Sequence, residues 1–553
     1  MAAPNIPAAK AAGLHVDLER LAAEGDAWLT PEDRYALKTH GVCTQLQDGV
    51  FMVRVRIPGG VLPTAQARAL ARLGRAESED WLHLTTRQNI EFHWVAAAAV
   101  PEVLAGVERA GLSTRAACGH TLRNVICSED AGLGLDEPFD CFPDARRVSD
   151  AIVARSAELN VVLPSRINMS FGGSPRCRED ALLQDAGFVS VVRDGEAGYE
   201  LWAGGSLGKA PALAVQLSSF VARADVPAAA EALVELFVEH GDLEHPAKGR
   251  MKFVVAQLGT DGFRAAWDQA FAAARDRPHP PAPPADVLAE TDRVAVLGQG
   301  PPGGWSAGVR PQRQPGRCLL TIDVPLGDTN ASELELLADL ADRHADGHLV
   351  LSRDQDVVLR DVPHDQVAAV RAALRERGLH LLGEGHVARV RACTGSAVCA
   401  LGITEAPAAG HTLLESPALG RNSALRVHVS GCPNSCAQHQ AGDIGLAGSK
   451  VRVGGKTRDG YHLYLGADLR RGIVGEAVGR VAAEDVPAAV GTVVGAWEAL
   501  RHGEEAIGTT VRRIGADAFA AHLEAVMADR WATGPEPELE PTPVPVAVAS
   551  SSA

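Results

Sequence analysis

The segment "GVCTQLQDG" (41–49) decides the fold, because a second segment, "GVRPQRQPG" (308–316), repeats it 267 residues later. At this fixed spacing the two stretches align without a gap as far as Val95 and Val362, and 14 of the 55 positions are identical. In each copy an alternating apolar run precedes a helical stretch and a second alternating run. Further ordered matches follow, so the sequence predicts an internal duplication.

This duplication predicts an α/β (α+β) fold with two halves related by a pseudo-twofold axis. Each half is expected to contain a small α/β unit followed by a larger mixed-sheet α/β unit. A groove between two such copies is a natural position for a large ligand, because pockets favour domain interfaces. The predicted boundaries are 1–30 for an N-terminal extension, 31–110 and 111–275 for the small and larger units of the first half, 276–292 for a linker, 293–383 and 384–530 for the two units of the second half, and 531–553 for a tail.

Two Pro-rich segments predict the linker and the tail. The stretch "RDRPHPPAPPAD" (275–286) is typical of a stiff, extended linker. The C-terminal stretch "TGPEPELEPTPVPVAVASSSA" (533–553) offers too little apolar surface to order itself, so we expect it to be disordered.

Composition limits the possible functions. The chain has 553 residues and a formal net charge of −16, which argues against a nucleic-acid partner. Its longest apolar stretch, "WVAAAAVPEVLAGV" (94–107), is broken by Pro101, and its N-terminus lacks an apolar segment after a basic start. We therefore expect no membrane span and no secretory signal. Ten cysteines without an export signal predict a reducing, cytoplasmic location. We also expect a monomer.

Four cysteines form two close pairs near the C-terminus. Cys393 and Cys399 lie in "RACTGSAVCALG", and Cys432 and Cys436 lie in "VSGCPNSCAQHQAGDIG" (429–445). Four soft thiolates suit an iron–sulfur cluster, and nearby glycines would let the backbone approach it. Zinc ligands are usually closer in sequence than the first pair, but a structural zinc site and four structural thiols stay open at this point.

The same segments carry a resemblance to a known family. "CTGSAVC" with "SGCPNSCAQHQAGDIGLAG" resembles the cluster-binding signature of the nitrite and sulfite reductase hemoproteins, which couple a [4Fe–4S] cluster to siroheme. "LTTRQNIEFHW" and "LRNVICS" extend it over nearly the whole chain apart from the linker and the two ends. The resemblance implies that the small units are ferredoxin-like. It also implies that Cys393, Cys399, Cys432 and Cys436 bind the cluster, and that Cys436 is the axial siroheme ligand.

The resemblance gives the first half a different role. Its loop "SFGGSP" has Gly172 where the alignment places Cys432, so this copy is expected to hold no metal. Arg87 and Arg123 match family positions that face the substrate, and a guanidinium fork suits a small oxyanion. The siroheme carboxylates are expected to contact Arg54, Arg56, Gln312 and Arg313.

One segment of the sequence departs from the family pattern. Where the family has two lysines, or a lysine and an asparagine in its nitrite-reducing type, this chain reads "LPSRIN". Arg166 therefore occupies the first position and Asn168 the second. Asn168 favours nitrite, whereas Arg166 is a poorer proton donor than a lysine.

The resemblance implies an assimilatory oxidoreductase, a nitrite or sulfite reductase. It would carry out the six-electron reduction of nitrite to ammonium or of sulfite to sulfide, with a preference for nitrite. No flavin or nicotinamide module is visible, so a separate donor such as ferredoxin is expected. Two alternatives remain: an iron–sulfur enzyme of corrinoid biosynthesis like precorrin-3B synthase, and a zinc-stabilised binding protein without catalysis.

Overall fold

The computed structural model describes residues 3–284, 287–386, 388–453 and 456–527. Three helices come before the first sheet: Ile6–Ala11 (α1), Leu18–Glu24 (α2) and Pro31–Thr39 (α3). Thr30 and Asp33 form a reciprocal capping box, which explains why α3 begins at Pro31. The predicted tail lies outside the described residues.

The first half contains a small unit and a larger unit. The small unit comprises Val42–Thr44 (β1), Val50–Val55 (β2), Val61–Pro63 (β3), Thr64–Glu77 (α4), Leu82–Leu84 (β4), Ile90–Ala96 (β5) and Val100–Arg109 (α5). The larger unit comprises Leu122–Cys127 (β6), Phe142–Ala154 (α6), Ser156–Val162 (α7), Ile167–Gly172 (β7), Arg178–Ala181 (α8), Ala186–Arg193 (β8), Glu196–Ala203 (β9), Val215–Ala222 (β10), Val226–His240 (α9) and Met251–Arg275 (α10).

The second half repeats this order after a short helix, Arg293–Gly298 (α11). Its small unit comprises Val309–Pro311 (β11), Arg317–Asp323 (β12), Asp328–Thr329 (β13), Ala331–His344 (α12), His348–Leu351 (β14), Val357–Pro363 (β15), Val367–Arg375 (α13) and His380–Leu381 (β16). Its larger unit comprises Arg389–Ala392 (β17), Gly395–Val398 (α14), Ala406–Leu414 (α15), Pro417–Arg421 (α16), Arg426–Ser430 (β18), Ile444–Val453 (β19), Lys456–Leu465 (β20), Glu476–Ala482 (β21), Val486–Leu500 (α17), Ile507–Ile514 (α18) and Ala516–Met527 (α19). None of the helices described is long and apolar enough to cross a lipid bilayer.

The two larger sheets have the same topology. In each, the first three strands along the chain are parallel and the last two join as antiparallel neighbours, in the orders β6-β7-β8-β9-β10 and β17-β18-β19-β20-β21. Each sheet packs against its own buried apolar core. This correspondence confirms the mixed α/β fold and the duplication that the sequence predicts.

The two small units exchange one strand each. β3 of the first half pairs with β14 in the second sheet, and β13 of the second half pairs with β4 in the first sheet. The two pairings obey the same 267-residue spacing, since Val61 lies opposite Val350 and Asp328 lies opposite His83. The two units also share one continuous apolar core, so neither sheet is complete without the other half.

Two glutamines secure this exchange. Gln88 donates through Nε2 to the carbonyl oxygen of Leu351 at 2.8 Å, and Gln355 donates through Nε2 to that of Leu84 at 2.9 Å. Both contacts connect the halves and are related by the pseudo-twofold axis. Gln88 and Gln355 also share a left-handed backbone, with φ of 55° and 73°. Their identity in the sequence alignment therefore has a structural reason.

Strand register corrects one part of the alignment. Cys127 pairs with Phe171 in the first larger sheet, and Ala392 pairs with Val429 in the second. When the two sheets are aligned on this register, the residue equivalent to Cys432 is Ser174 and not Gly172. The sequence alignment misses the two-residue shift because it matches residue types without the register of neighbouring strands.

Candidate active site

The four clustered cysteines lie on two loops that leave adjacent parallel strands. β17 ends at Ala392 and is followed by Cys393, while β18 ends at Ser430 and leads to Cys432 and Cys436. The amide of Cys393 donates to the carbonyl oxygen of Val429 at 3.1 Å, which extends the β17–β18 pairing into the loop. Because carboxyl ends of parallel strands meet at one edge, the fold brings the two pairs together.

Glycines allow these two loops to pack against each other. Gly395 has a φ of 52°, and a Cβ atom there would lie 2.5 Å from the amide nitrogen of Ala406. A Cβ atom on Gly431 would lie 2.6 Å from Cα of Gly395 and 2.8 Å from the carbonyl oxygen of Thr404. Glycine is therefore required at these positions because the two loops approach each other closely. The prediction that the glycines let the backbone approach a cluster stays untested.

The cysteine sulfurs differ in exposure and influence one another. Cys432 is buried, Cys393 and Cys399 are half-buried, and Cys436 is exposed. Burial and the charge of Cys399 raise the pKa of Cys432. Gly431 donates its amide to Sγ of Cys393 at 3.2 Å. Within the ranges described above, no three His, Cys, Asp or Glu side chains are grouped as ligands of a single metal ion.

The first half packs directly on both cysteine loops. The Thr86 hydroxyl donates to the carbonyl oxygen of Cys436 at 3.0 Å. The amide of Leu46 donates to the carbonyl oxygen of Val398 at 2.7 Å, and Gln47 Nε2 donates to that of Ala397 at 2.8 Å. The turn that carries Arg87 is therefore connected to the loop that carries Cys436.

Arg87 and Arg123 lie on the first-half side of this junction, and their charges are not neutralised by ion pairs within the described residues. Arg87 donates to Oε1 of Gln184 at 3.0 Å and to the carbonyl oxygen of Asn124 at 2.6 Å. Arg123 donates to the carbonyl oxygens of Ala117, at 2.5 Å, and Gly119, at 3.0 Å. Burial, followed by the charge of Arg123, lowers the pKa of Arg87 to about 9.

Arg166 and Asn168 flank the same region. The charge of Arg250, followed by burial and by Arg123, lowers the pKa of Arg166 to about 9, whereas the nearby Cys436 opposes this shift. Unlike Arg87 and Arg123, Arg250 forms an ion pair, with Asp185 at 2.9 Å. Asp185 also accepts a hydrogen bond from the amide of Asn168 at 2.8 Å.

Several buried polar atoms in this group of arginines and Asn168 have no protein partner in the described structure. They are Nε of Arg87, Nε of Arg123 and Oδ1 of Asn168. Buried polar atoms are normally satisfied, so two unpaired donors and one unpaired acceptor suggest a position for a ligand or ordered water. Crowded guanidinium groups without carboxylate partners specifically favour an anion.

Arg54 belongs to the same group of arginines, but its charge is paired with a carboxylate. Its Nη2 lies 2.5 Å from Oε1 of Glu91, and its Nη1 donates to the carbonyl oxygen of Ala117 at 3.3 Å. Burial by itself raises the pKa of Glu91, but the charge of Arg54 outweighs it and holds that pKa below its ordinary value. Arg54 is therefore partly neutralised, unlike Arg87 and Arg123.

Three predicted cofactor contacts use their side chains on protein partners. Arg56 is 1% exposed and donates to the carbonyl oxygen of Leu122, although the charge of Arg123 still acts on it. Gln312 is fully buried and donates to Gln314 and Asp361 of its own unit. Arg313 donates to the carbonyl oxygens of Glu137 and Ala289. Their expected contacts with the siroheme carboxylates stay predictions.

Sequence reasoning missed Arg250, Gln184 and Thr86. Arg250 lies just before α10, far along the chain from the other arginines, and nothing local marks its ion pair with Asp185. Gln184 lies in the turn that precedes β8. Thr86 adjoins Arg87 in "LTTRQ", so that motif was the one signal that could have indicated it.

Two family models match the chain, each of them twice. One is the nitrite and sulphite reductase 4Fe-4S domain, which covers residues 118–273 and 384–530. The other is the nitrite/sulfite reductase ferredoxin-like half domain, which covers residues 44–110 and 310–377. Together they cover most of the chain and alternate in the order small, large, small, large.

Curated relatives match over most of their length. The chain is 30% identical over 485 residues to a ferredoxin–nitrite reductase of Synechococcus elongatus, covering 85% of this chain and 91% of that protein. It is 30% identical to sulfite reductase (ferredoxin) 1 of Mycolicibacterium paratuberculosis, covering 76% of this chain and 74% of that protein. A solved structure of the Mycobacterium tuberculosis NirA protein superposes with a TM-score of 0.79 at 24% identity, covering 94% of this chain and 98% of that one, which shows a shared fold.

Proposed function

Because the chain belongs to the nitrite and sulphite reductase family of oxidoreductases, we propose that it reduces nitrite to ammonium with electrons from a ferredoxin. Sulfite reduction to sulfide is the second candidate, since one of the relatives is named a sulfite reductase. Family membership decides against the zinc-stabilised binding protein, because the cysteine segment matches a 4Fe-4S domain.

The observation that supports this proposal most is the contact between Thr86 and Cys436 at 3.0 Å. It joins the turn that carries Arg87 to the loop that carries the proposed bridging cysteine. An anion held by the arginines would therefore lie beside the redox centre, as a reductase of small oxyanions requires.

The cofactors of the family are siroheme and a [4Fe–4S] cluster, and the side chains of this chain fit them. We propose that Cys393, Cys399, Cys432 and Cys436 would hold the cluster, and that Cys436 would also hold siroheme. In such a cluster each thiolate binds a different iron atom, so the four sulfurs need not converge on one point. When bound, these groups supply the electron-transfer chemistry that the side chains lack.

The arginines would bind and orient anions. Arg87 and Arg123 keep unpaired Nε groups, and both are charged at neutral pH, so they suit the oxygens of nitrite and the carboxylates of siroheme. Arg54, already paired with Glu91, would contribute less charge. The same positive groups would stabilise negative charge that develops on the substrate oxygens during reduction.

Arg166 and Asn168 would tune substrate choice. Arg166 places a positive charge close to Cys436 at neutral pH, so we assign it an electrostatic role. Asn168 presents a neutral amide whose Oδ1 is unpartnered in the described structure. One amide and one guanidinium at these positions favour the singly charged nitrite over the doubly charged sulfite, because less positive charge faces the anion.

Steady-state kinetics would test the proposal. The purified holoenzyme is given reduced ferredoxin or reduced viologen, and kcat/KM is compared for nitrite and sulfite. We expect a higher kcat/KM for nitrite and a visible spectrum of bound siroheme. A higher value for sulfite would favour the second candidate, and a colourless, correctly reconstituted protein would contradict both.

A further inference from the structure

The first half contains two pairs of neighbouring cysteines with different surroundings. Cys43 lies on β1 and is half-buried, and Cys118 lies in the loop before β6 and is 3% exposed. Each thiol is among the groups that shift the pKa of the other. In the second pair, Sγ of Cys127 lies 3.5 Å from Sγ of Cys141, and both residues are buried in the apolar core.

Backbone contacts hold Cys43 and Cys118 side by side. The amide of Ala116 donates to the carbonyl oxygen of Thr39 at 2.8 Å. Gly41 packs so tightly that a Cβ atom there would collide with the backbone of Thr114. The two segments that carry the thiols are therefore joined to each other just before each cysteine.

Two of the site arginines face this pair. Arg54 and Arg123 both donate to the carbonyl oxygen of Ala117, the residue before Cys118. The hydrogen bond from Cys43, followed by the charges of Arg54 and Arg123, lowers the pKa of Cys118 to about 6 against the effect of burial. The lowered pKa favours the thiolate form of Cys118, and thiolates near cations are the reactive form of cysteine.

The core pair lacks these features. Its hydrogen bond and its burial both raise the pKa of Cys141, so it stays a thiol, and no arginine is among the groups that act on it. Closeness of two sulfurs is thus common to both pairs, whereas accessibility and positive charge distinguish only the first. The core pair is an internal control for any thiol chemistry of the protein.

We propose that Cys43 and Cys118 form a reversible disulfide at the edge of the anion-binding arginines. The oxidant is a low-molecular-weight disulfide such as glutathione disulfide. Cys43, the half-buried member, passes its proton to the Cys118 thiolate and attacks one sulfur of glutathione disulfide, which releases one glutathione thiolate. The second cysteine then attacks the mixed disulfide and releases a second glutathione, which takes up its proton. Two electrons pass from the pair to glutathione disulfide, and one protein disulfide forms.

This disulfide would change the charge that faces the substrate. In the reduced form the thiolate offsets part of the positive charge of Arg54 and Arg123. Oxidation removes that negative charge, so nitrite should bind roughly tenfold more tightly in the disulfide form. This second step rests on the proposed function, whereas formation of the disulfide does not.

Thiol trapping tests the first step. The anaerobic holoenzyme is equilibrated with glutathione buffers of increasing disulfide content, quenched with acid, unfolded, alkylated and mapped by mass spectrometry. We expect the peptides of Cys43 and Cys118 to become joined in most molecules and to separate again with dithiothreitol, while Cys127 and Cys141 stay alkylatable. Free Cys43 and Cys118 at every ratio, or equal joining of the core pair, would overturn the proposal.

Nitrite titration of the visible spectrum tests the second step. The oxidised wild type and the reduced Cys118→Ser variant, which both lack the thiolate, should bind nitrite about tenfold more tightly than the reduced wild type. Cys177→Ser, a half-buried cysteine outside both pairs, serves as the matched control and should bind like the wild type. Equal affinities in both redox states would overturn the coupling, whereas no nitrite binding in either state would instead contradict the proposed function.

Discussion

The two larger units show how one scaffold supports two roles. In the second unit, Sγ of Cys393 accepts a hydrogen bond from the amide of Gly431 at 3.2 Å. In the first unit, Oγ of Ser128 occupies the same position after its strand and accepts from the amide of Gly173 at 2.9 Å. The backbone contact is unchanged, and the acceptor is oxygen in one copy and sulfur in the other.

The difference lies in what fills the space next to that contact. In the first unit, Cys177 packs against Gly172, and its Sγ lies 3.3 Å from the Ser128 hydroxyl. In the second unit, the corresponding loop leaves Cys436 exposed toward the turn that carries Arg87. One copy closes its loop with its own side chain, and the other keeps its sulfurs available. Under the proposed function, one copy would supply the ligands and the other would supply the charge.

The largest expected effect comes from comparing cysteine substitutions in the two larger units. Cys436→Ser should lose iron and labile sulfide and reduce nitrite turnover by about 10³-fold or more, because a hydroxyl cannot replace the shared thiolate. Cys177→Ser in the first unit should keep the metal content and the visible spectrum of the wild type. Metal analysis and absorption spectra check both variants, and an intact centre in Cys436→Ser would contradict the ligand assignment.

The next effect concerns the charge that the first copy supplies. Arg123→Gln should lower kcat/KM for nitrite by about 10- to 100-fold, since a charged hydrogen bond contributes about 1.5–3 kcal/mol. Arg155→Gln is the matched control, because Arg155 pairs with Glu158 and Glu231 away from the cluster and should keep normal kinetics. If both variants behaved alike, Arg123 would have no special role in substrate binding.

A third test compares the glycines of the equivalent contacts. Gly431→Ala places a methyl group against rigid backbone and should lower stability by about 1–3 kcal/mol. Gly173→Ala meets the side chain of Glu137, which can rotate away, so its cost should be smaller. Calorimetry of both variants measures the difference in apparent Tm. Equal losses would mean that both loops are equally rigid.

The smallest expected effect concerns the two exchanged strands. One junction pairs Val61 with Val350, whereas the other pairs Asp328 with His83 through a 2.7 Å contact. Burial by itself lowers the pKa of His83, but the hydrogen bond and charge of Asp328 outweigh it and raise that pKa. The contact is therefore fully stabilising below the unfolded value of about 6.5 and is lost as pH rises through the folded-state pKa.

Urea unfolding between pH 5.5 and 8.5 would measure that dependence. Asp328→Asn should cost about 1 kcal/mol at the acidic end and progressively less as the pH rises. Val61→Ala at the equivalent apolar junction should cost the same at every pH. A loss for Asp328→Asn that grows with pH would reverse the sign of the argument.

Short-range pattern was sufficient for much of the fold. The 267-residue spacing predicted that β3 and β13 are equivalent strands. It did not show that each pairs with the sheet of the other half, because an alignment gives equivalent positions and not pairing partners. The alternating runs predicted β2, β5, β12 and β15, because their residues follow the two-residue period of a strand, although most of these residues are buried in the fold. The positions of β3 and β13, only three and two residues long, could not be assigned from so short a pattern.

The site shows the same limit at the level of side chains. Arg54 and Arg56 are two residues apart on one strand and both are positive, so the sequence treated them alike. In the fold, Arg54 pairs with Glu91 beside the other site arginines, whereas Arg56 is buried against Leu122 and Ser149. What covers each arginine depends on helices and loops that are distant in sequence, so local pattern cannot separate them.

The sequence by itself determined the duplication, the two cysteine pairs and the family, because these depend on residue identity and spacing along the chain. Tertiary structure alone decided which arginines stay unpaired, which loop residue lies opposite Cys432, and that Cys43 meets Cys118 beside Arg123. The physical reason is that strand register and long-range packing, not chain spacing, fix which charges and thiols become neighbours.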